Sequence, residues 1–251
     1  MKIAAFRCPS ESRGKDTALN TLGDNNYTSC TGDWCDRVQG TNNTENIANP
    51  RGMFSHAWNT AQKINDFGTL VDGTSNTLAM SEITINQDGQ GAGITTSARA
   101  MDSAAFPFSN LGSINASTFA PNNYTAGDAN LCRMWRNGKE WATGTPGSSG
   151  GSVGRRWADG LTQSNGFTTI NPPNDPRCYN SADTNGRALI PAGSYHSGGV
   201  NAVLADGAVR FVTDSVDCGN LNTALMRTSG RSQFGVWGAM GSINGAESTS
   251  L

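Results

Sequence analysis

The sequence predicts a β-rich α+β fold, an antiparallel sheet joined by long loops and stabilised by disulfides. Three observations carry that expectation. Charged residues fill only 15% of 251 positions while glycine alone takes 31, which suits a loop-rich exported protein better than a helical cytosolic enzyme. Six cysteines are spread along the chain, and an even count favours up to three disulfides and an oxidising compartment. Finally, "NAVLADGAVRFVT" holds two β-rich runs, Asn201 to Ala205 and Ala208 to Thr213, split by Asp206-Gly207, a strong short-range hairpin signal.

The elements follow in chain order. "TSCTGDWCD" brings Cys30 and Cys35 close enough to close a short loop, the first expected disulfide, with Trp34 inside it as a candidate exposed binding residue. In "MFSHAWNTAQKINDF", Phe54, Trp58, Ala61 and Ile64 recur at helical spacing. A turn at Asp72-Gly73 leads into a strand from Asn76 to Ile85. Residues 86–154 read as a loop-rich insertion ending in a Gly/Ser tract. The remainder delivers a C-terminal hairpin and tail over 194–251, and the length suits a single globular domain over 1–251.

The hairpin itself specifies a register. With a two-residue turn at Asp206-Gly207, Leu204 faces Val209 and Ala202 faces Phe211, and these four share one face. Val203 and Arg210 then share the other. Continued without a break, the same pairing carries His196 towards Asp217 and Cys218, far from Asp206.

Charge narrows the partners. A net charge of −2 and an isoelectric point near 5.6, with no basic run beyond Arg155-Arg156, give no field for nucleic acid or anionic membranes. No apolar run is long enough to span a bilayer, and no signal peptide is legible at Met1. Expected partners are other copies of the chain, surface proteins or polysaccharide. The setting expected for it is extracellular or on the cell surface.

Several chemistries are legible in the residues. Gly147-Ser148-Ser149-Gly150-Gly151 spells G-x-S-x-G, but a nucleophile elbow follows a strand and opens a helix, and here a Gly/Ser tract surrounds it. Ser149 with His196 is therefore the alternative, hydrolytic assignment, with Glu82 as the most interesting acid. His56 reads as an ordinary partly buried histidine. Asp72, Asn76 and Glu82 offer hard oxygen donors suited to calcium, although "DGTSNT" lacks the spacing of a calcium loop. No C-x-x-C and no local Cys/His spacing of a zinc site occurs, which speaks against structural zinc. Trp237, in "GVWGAMGS", reads as structural.

Five segments together resemble one family. They are "FRCPSE" (6–11), "LVDGTSNTLAMSE" (70–82), "RRWADG" with "FTTINPPNDPRC" (155–160 and 167–178), "SYHSGGVNAVLADGAVRFV" (194–212) and "FGVWGAMGS" (234–242). The chain resembles the planctomycete domain of unknown function 1559 family, also called the bacterial SBP 10 family. Its signature of a histidine, nine residues and Asp-Gly falls on His196, Asp206 and Gly207. The resemblance implies a prepilin-type, exported, pseudopilin-like protein with an N-terminal helix packed on a β-rich head. Because Cys8 stands so close to Met1, the leader and helix of that family are expected to be missing from this chain.

These points converge on a structural or adhesive surface protein without catalytic residues, acting by self-assembly or surface interaction. A polysaccharide or ester hydrolase using His196 is the alternative, and a carbohydrate-binding module with exposed tryptophans is the third.

Overall fold

The computed structural model describes residues 3–11, 23–34, 51–54, 65–85, 104–105, 129–130, 133, 136–137, 140–141, 153–158, 162–179, 188–222 and 230–247. A 3-10 turn at Ala4–Phe6 opens it, followed by β1 (Tyr27–Gly32), a second 3-10 turn at Phe67–Thr69 and β2 (Leu78–Glu82). Three two-residue strands come next, β3 (Ala104–Ala105), β4 (Arg136–Asn137) and β5 (Glu140–Trp141). Helix α1 (Thr162–Asn165) runs into β6 (Gly166–Thr168), then β7 (Arg177–Tyr179), β8 (Ala188–Leu189), β9 (Gly199–Leu204), β10 (Val209–Thr213) and helix α2 (Gly235–Gly241). The expected helix over Phe54 to Phe67 lies mostly outside the described residues, as do His56 and Ser149.

Five strands form the main sheet in the order β10-β9-β2-β1-β6. Every neighbouring pair is antiparallel except β1 and β6, which run parallel. The sheet is therefore mixed and β-rich, where an antiparallel one was expected. One face is apolar: Cys30, Leu78, Phe167, Val200, Ala202, Leu204 and Val212 are buried on it. Helix α2 covers that face at β1 and β2. Trp237 is fully buried, its ring stacked on Phe167 at 6.2 Å, and its indole N–H donates to the Asn171 carbonyl at 3.1 Å. Its expected structural role is met, because an indole buried with its N–H satisfied supplies large apolar area without a polar penalty.

The hairpin forms, in a different register. Val209 pairs with Val203, Arg210 with Ala202 and Phe211 with Asn201. The loop has three residues, Ala205 to Gly207, closed by Leu204 N–H to the Ala208 carbonyl at 2.8 Å. Only Gly207 has positive φ (88°), whereas a two-residue type I′ turn needs it at both central positions. Asp206 stays right-handed and accepts from the Ala208 N–H at 2.9 Å instead. The one-residue shift turns Val209 and Phe211 outward, 63% and 49% exposed, because strand side chains alternate with period two.

The expected Cys30–Cys35 disulfide is also corrected. Cys30 is a free thiol with no exposure, as are buried Cys8 and Cys218; Cys35 lies outside the described residues. The alternation of β1 sends the Cys30 side chain into the core beneath α2, where its Sγ faces the Gly241 carbonyl at 3.9 Å. Burial pushes the Cys30 thiol up to about 12 from 9.0. A raised folded-state value means this thiol contributes stability below its unfolded pKa, and that contribution disappears as pH climbs through the folded value. Unfolding midpoints in urea are expected to fall between about pH 9 and about pH 12. A flat alkaline limb would show Cys30 to be hydrated.

Trp34, expected to be exposed, is buried at 9%. Next to it lies a buried ion pair: Arg51 Nε meets Asp33 Oδ1 at 2.5 Å and a second guanidinium nitrogen meets Oδ2 at 3.1 Å. The strap carrying Arg51 crosses the end of β1 so closely that a Cβ on Gly52 would overlap the Thr31–Gly32 backbone. Among the described residues, no helix is long and apolar enough to cross a membrane.

Candidate functional site

The candidate site sits on the outer face of the sheet, at the opposite end of β9 from the Asp206-Gly207 turn. Three side chains meet there. Glu82 ends β2 and, by its alternation with exposed Met80, points to the outer face, yet it is 4% exposed because residues 3–11 cover it. His196 precedes β9 at the bend made by Gly198 and Gly199. The bend is held by Ser194, whose hydroxyl donates to the Gly199 carbonyl at 2.7 Å and accepts from the His196 N–H at 3.1 Å. Cys8 arrives on the N-terminal strap, fixed by its own N–H donating to Asn26 Oδ1 at 3.0 Å.

The separations are short. His196 Nε2 lies 3.0 Å from Glu82 Oε1, Cys8 Sγ lies 3.5 Å from the same oxygen, and Cys8 Sγ lies 3.6 Å from His196 Nε2. Glu82 Oε2 accepts from the Asn201 N–H at 2.7 Å, so the carboxylate is anchored on both oxygens. Ser10 Oγ sits 3.0 Å from Cys8 Sγ. Burial, followed by the closeness of Cys8 and Glu82, raises the pKa of the Tyr27 hydroxyl from 10.0.

Behind this cluster is a buried polar layer. Asn26 donates to Glu11 Oε2 at 3.1 Å and to the Ile83 carbonyl at 2.9 Å, and Glu11 accepts from the Ile85 N–H at 3.1 Å. The strap 3–11 is thereby tied to β1 and to the chain after β2, and Cys8 has little freedom to leave Glu82 and His196.

The sequence-level candidates divide clearly. His196 and Glu82 are brought together. His196 does not approach Asp217 and Cys218, because pairing stops at Gly199 with Thr213, and its ring turns to β2 rather than to backbone at its own bend. The Asp206 side chain serves the turn, accepting from the Ala208 N–H. The suggested calcium donors do not converge: Asp72 accepts from the Gly245 and Glu247 N–H groups at 2.9 and 3.0 Å, Asn76 donates to the Asp72 carbonyl at 3.0 Å, and Glu82 belongs to His196. An acid that satisfies two buried amides has its structural reason there.

Cys8 is the residue that sequence reasoning missed. It was counted among six cysteines as disulfide material, and its partners stand 74 and 188 residues away. One signal did exist: Cys8, Glu82 and His196 each fall in a different one of the segments that carried the family resemblance.

Chemically, the geometry does not match a nucleophile–base–acid relay. In such a relay the acid holds one imidazole nitrogen and the nucleophile uses the other, whereas here Glu82 and Cys8 both face Nε2. The hollow beside them among the described residues, lined by Cys8, Ser10, Glu11, Glu82 and Ser194, leaves no space for a water-sized molecule.

Comparison with known protein families gives a match over most of the chain. The model of the bacterial SBP 10 family, described as protein of unknown function (DUF1559), matches residues 1–219. No curated protein and no solved structure matches the chain.

Proposed function

We propose that this chain, which belongs to the DUF1559 family, is an exported, cell-surface structural protein that works by self-association. Its pseudopilin-like character, a β-rich head built to pack with its own kind, is part of that proposal. The observation that carries it is the outer edge of the sheet. Strand β10 ends the sheet and presents Val209 and Phe211 to solvent, with Met80 also exposed on the same face. An exposed apolar edge strand is a template for pairing with a further strand, and a second copy supplies a matching one by two-fold symmetry.

The extracellular setting rests on composition, since Cys8, Cys30 and Cys218 are free thiols and add no redox argument. The catalytic alternative draws support from the His196–Glu82 contact, and the nitrogen shared by Glu82 and Cys8 weighs against it. The carbohydrate-binding alternative loses its candidate in buried Trp34; Trp157, 39% exposed, packs its ring against Phe6.

Two variants test the proposal together. Phe211→Lys is expected to shift the sedimentation of concentrated protein towards monomer with unchanged melting. His196→Ala is expected to lower the melting temperature while leaving ester and polysaccharide turnover at the level of the native chain. A His196→Ala protein that melts normally but loses a measurable turnover would reverse the assignment in favour of a hydrolase.

A further inference from the structure

We propose that Cys8, Glu82 and His196 bind one zinc ion, with the fourth position open to solvent on the side where His196 is exposed. Sequence spacing spoke against zinc because no two ligands lie near one another in the chain. The fold supplies what the spacing lacks, collecting one donor from each of three distant segments.

Two of the three distances suit an ion, and the third, His196 Nε2 to Glu82 Oε1 at 3.0 Å, is that of a hydrogen bond and widens slightly to admit one. Sγ, Oε1 and Nε2 are separated by 3.0, 3.5 and 3.6 Å and form a converging group of three potential ligand atoms. Zinc bonds of about 2.0–2.3 Å at tetrahedral angles place neighbouring donors about 3.3–3.6 Å apart. The circle through the three atoms has a radius of about 2 Å, so bonds of that length seat an ion just off their plane. A single imidazole nitrogen aimed at both a thiol and a carboxylate is awkward for proton relay and natural for metal ligation. Its own lone pair, the sulfur and the carboxylate oxygen then share one centre.

The donor set selects the metal. A thiolate and an imidazole favour zinc over calcium or magnesium, which require oxygen cages. Outer contacts hold the donors in place, as metal ligands require. Asn201 N–H fixes Glu82 Oε2, Asn26 fixes the Cys8 backbone, and Ser194 fixes the His196 backbone. His196 remains 35% exposed against 4% for Glu82, which leaves one side of the cluster to water. Binding displaces the thiol proton to solvent and pins the strap 3–11 to the sheet.

The ion is independent of self-association, and its test reads neither assembly nor turnover. The chain would be stripped with chelator, loaded with Co²⁺ as a spectroscopic stand-in for zinc, and desalted. A thiolate-to-cobalt charge-transfer band in the near ultraviolet, with intense tetrahedral visible bands, is expected from the unaltered protein. Mass spectrometry of the zinc-loaded form is expected to show about one metal per chain. Cys8→Ser is expected to abolish the charge-transfer band, and His196→Ala to weaken zinc affinity by roughly 100-fold or more. Weak octahedral cobalt bands without charge transfer, or zinc lost entirely on desalting, would overturn the site. So would a Cys8→Ser protein that keeps the band. The cobalt spectrum of the native chain decides the matter even where a variant fails to fold.

Discussion

Arg51→Ala is expected to destabilise the protein by about 3–5 kcal/mol, because it strands the Asp33 carboxylate in the interior. Arg51 and Asp33 are 1% and 3% exposed and meet through two nitrogen–oxygen contacts. The gain from such a pair is small relative to two apolar residues, but removal of one member leaves a desolvated charge with no counter-ion. The loss is compounded by position. The Arg51 carbonyl accepts from the Ile243 N–H at 2.9 Å, and Phe54 N–H donates to the Cys30 carbonyl at 3.1 Å. The strap thus joins the C-terminal turn to the central strand. Against a total stability of about 5–15 kcal/mol, such a loss puts the unfolding transition near room temperature or abolishes it. The control is Arg51→Met with Asp33→Leu, expected to recover most of the loss in urea melts. A single variant losing under about 1 kcal/mol would mean that water reaches the pair.

Trp237→Ala is expected to cost a similar amount, about 3–5 kcal/mol, through the lost apolar burial and the cavity left under the sheet. Trp237→Phe separates the two parts of that cost. It keeps an aromatic ring near Phe167 but removes the donor to the Asn171 carbonyl, a loss of about 1–3 kcal/mol if no water replaces it. Thermal melts of the two variants, read with near-ultraviolet circular dichroism, check both. Equal losses for alanine and phenylalanine would place the stabilisation in the hydrogen bond rather than in packing.

The hairpin was legible from the sequence and its register was not, for one reason. Asp-Gly fits a two-residue turn and the second and third positions of a three-residue loop alike. The choice belongs to contacts outside the hairpin, where Ala205 N–H donates to the Thr77 carbonyl and Asp206 N–H to the Thr74 carbonyl. β-rich character followed from composition, yet the parallel β1–β6 pair has no local signature. Cysteine number suggested disulfides, while the direction of each thiol depends on the alternation of its strand, and Cys30 points inward. Trp34 reads as a loop residue because it lies inside the Cys30–Cys35 spacing; its burial, beside the Asp33–Arg51 pair, depends on contacts beyond any local window. The cluster itself needed three segments to meet. Glu82 and His196 were each singled out from their surroundings, but nothing in either segment names the other, and Cys8 entered only through the fold.

Strand β1 lies between β2 and β6 in the sheet, and its parallel partner is far along the chain: Thr31 bonds to Phe167, 136 residues later. During synthesis, at about 5–20 residues per second, β1 leaves the ribosome on the order of ten seconds before β6 exists. Its other neighbour, β2, arrives earlier, but β9, which flanks β2 on the far side, follows β6. A nascent chain of this protein therefore pairs β1 with β2 early but leaves the β6 side of β1 open through most of its translation. Folding must be largely post-translational, with slow, non-local closure, and the waiting strand is where a holding chaperone would bind.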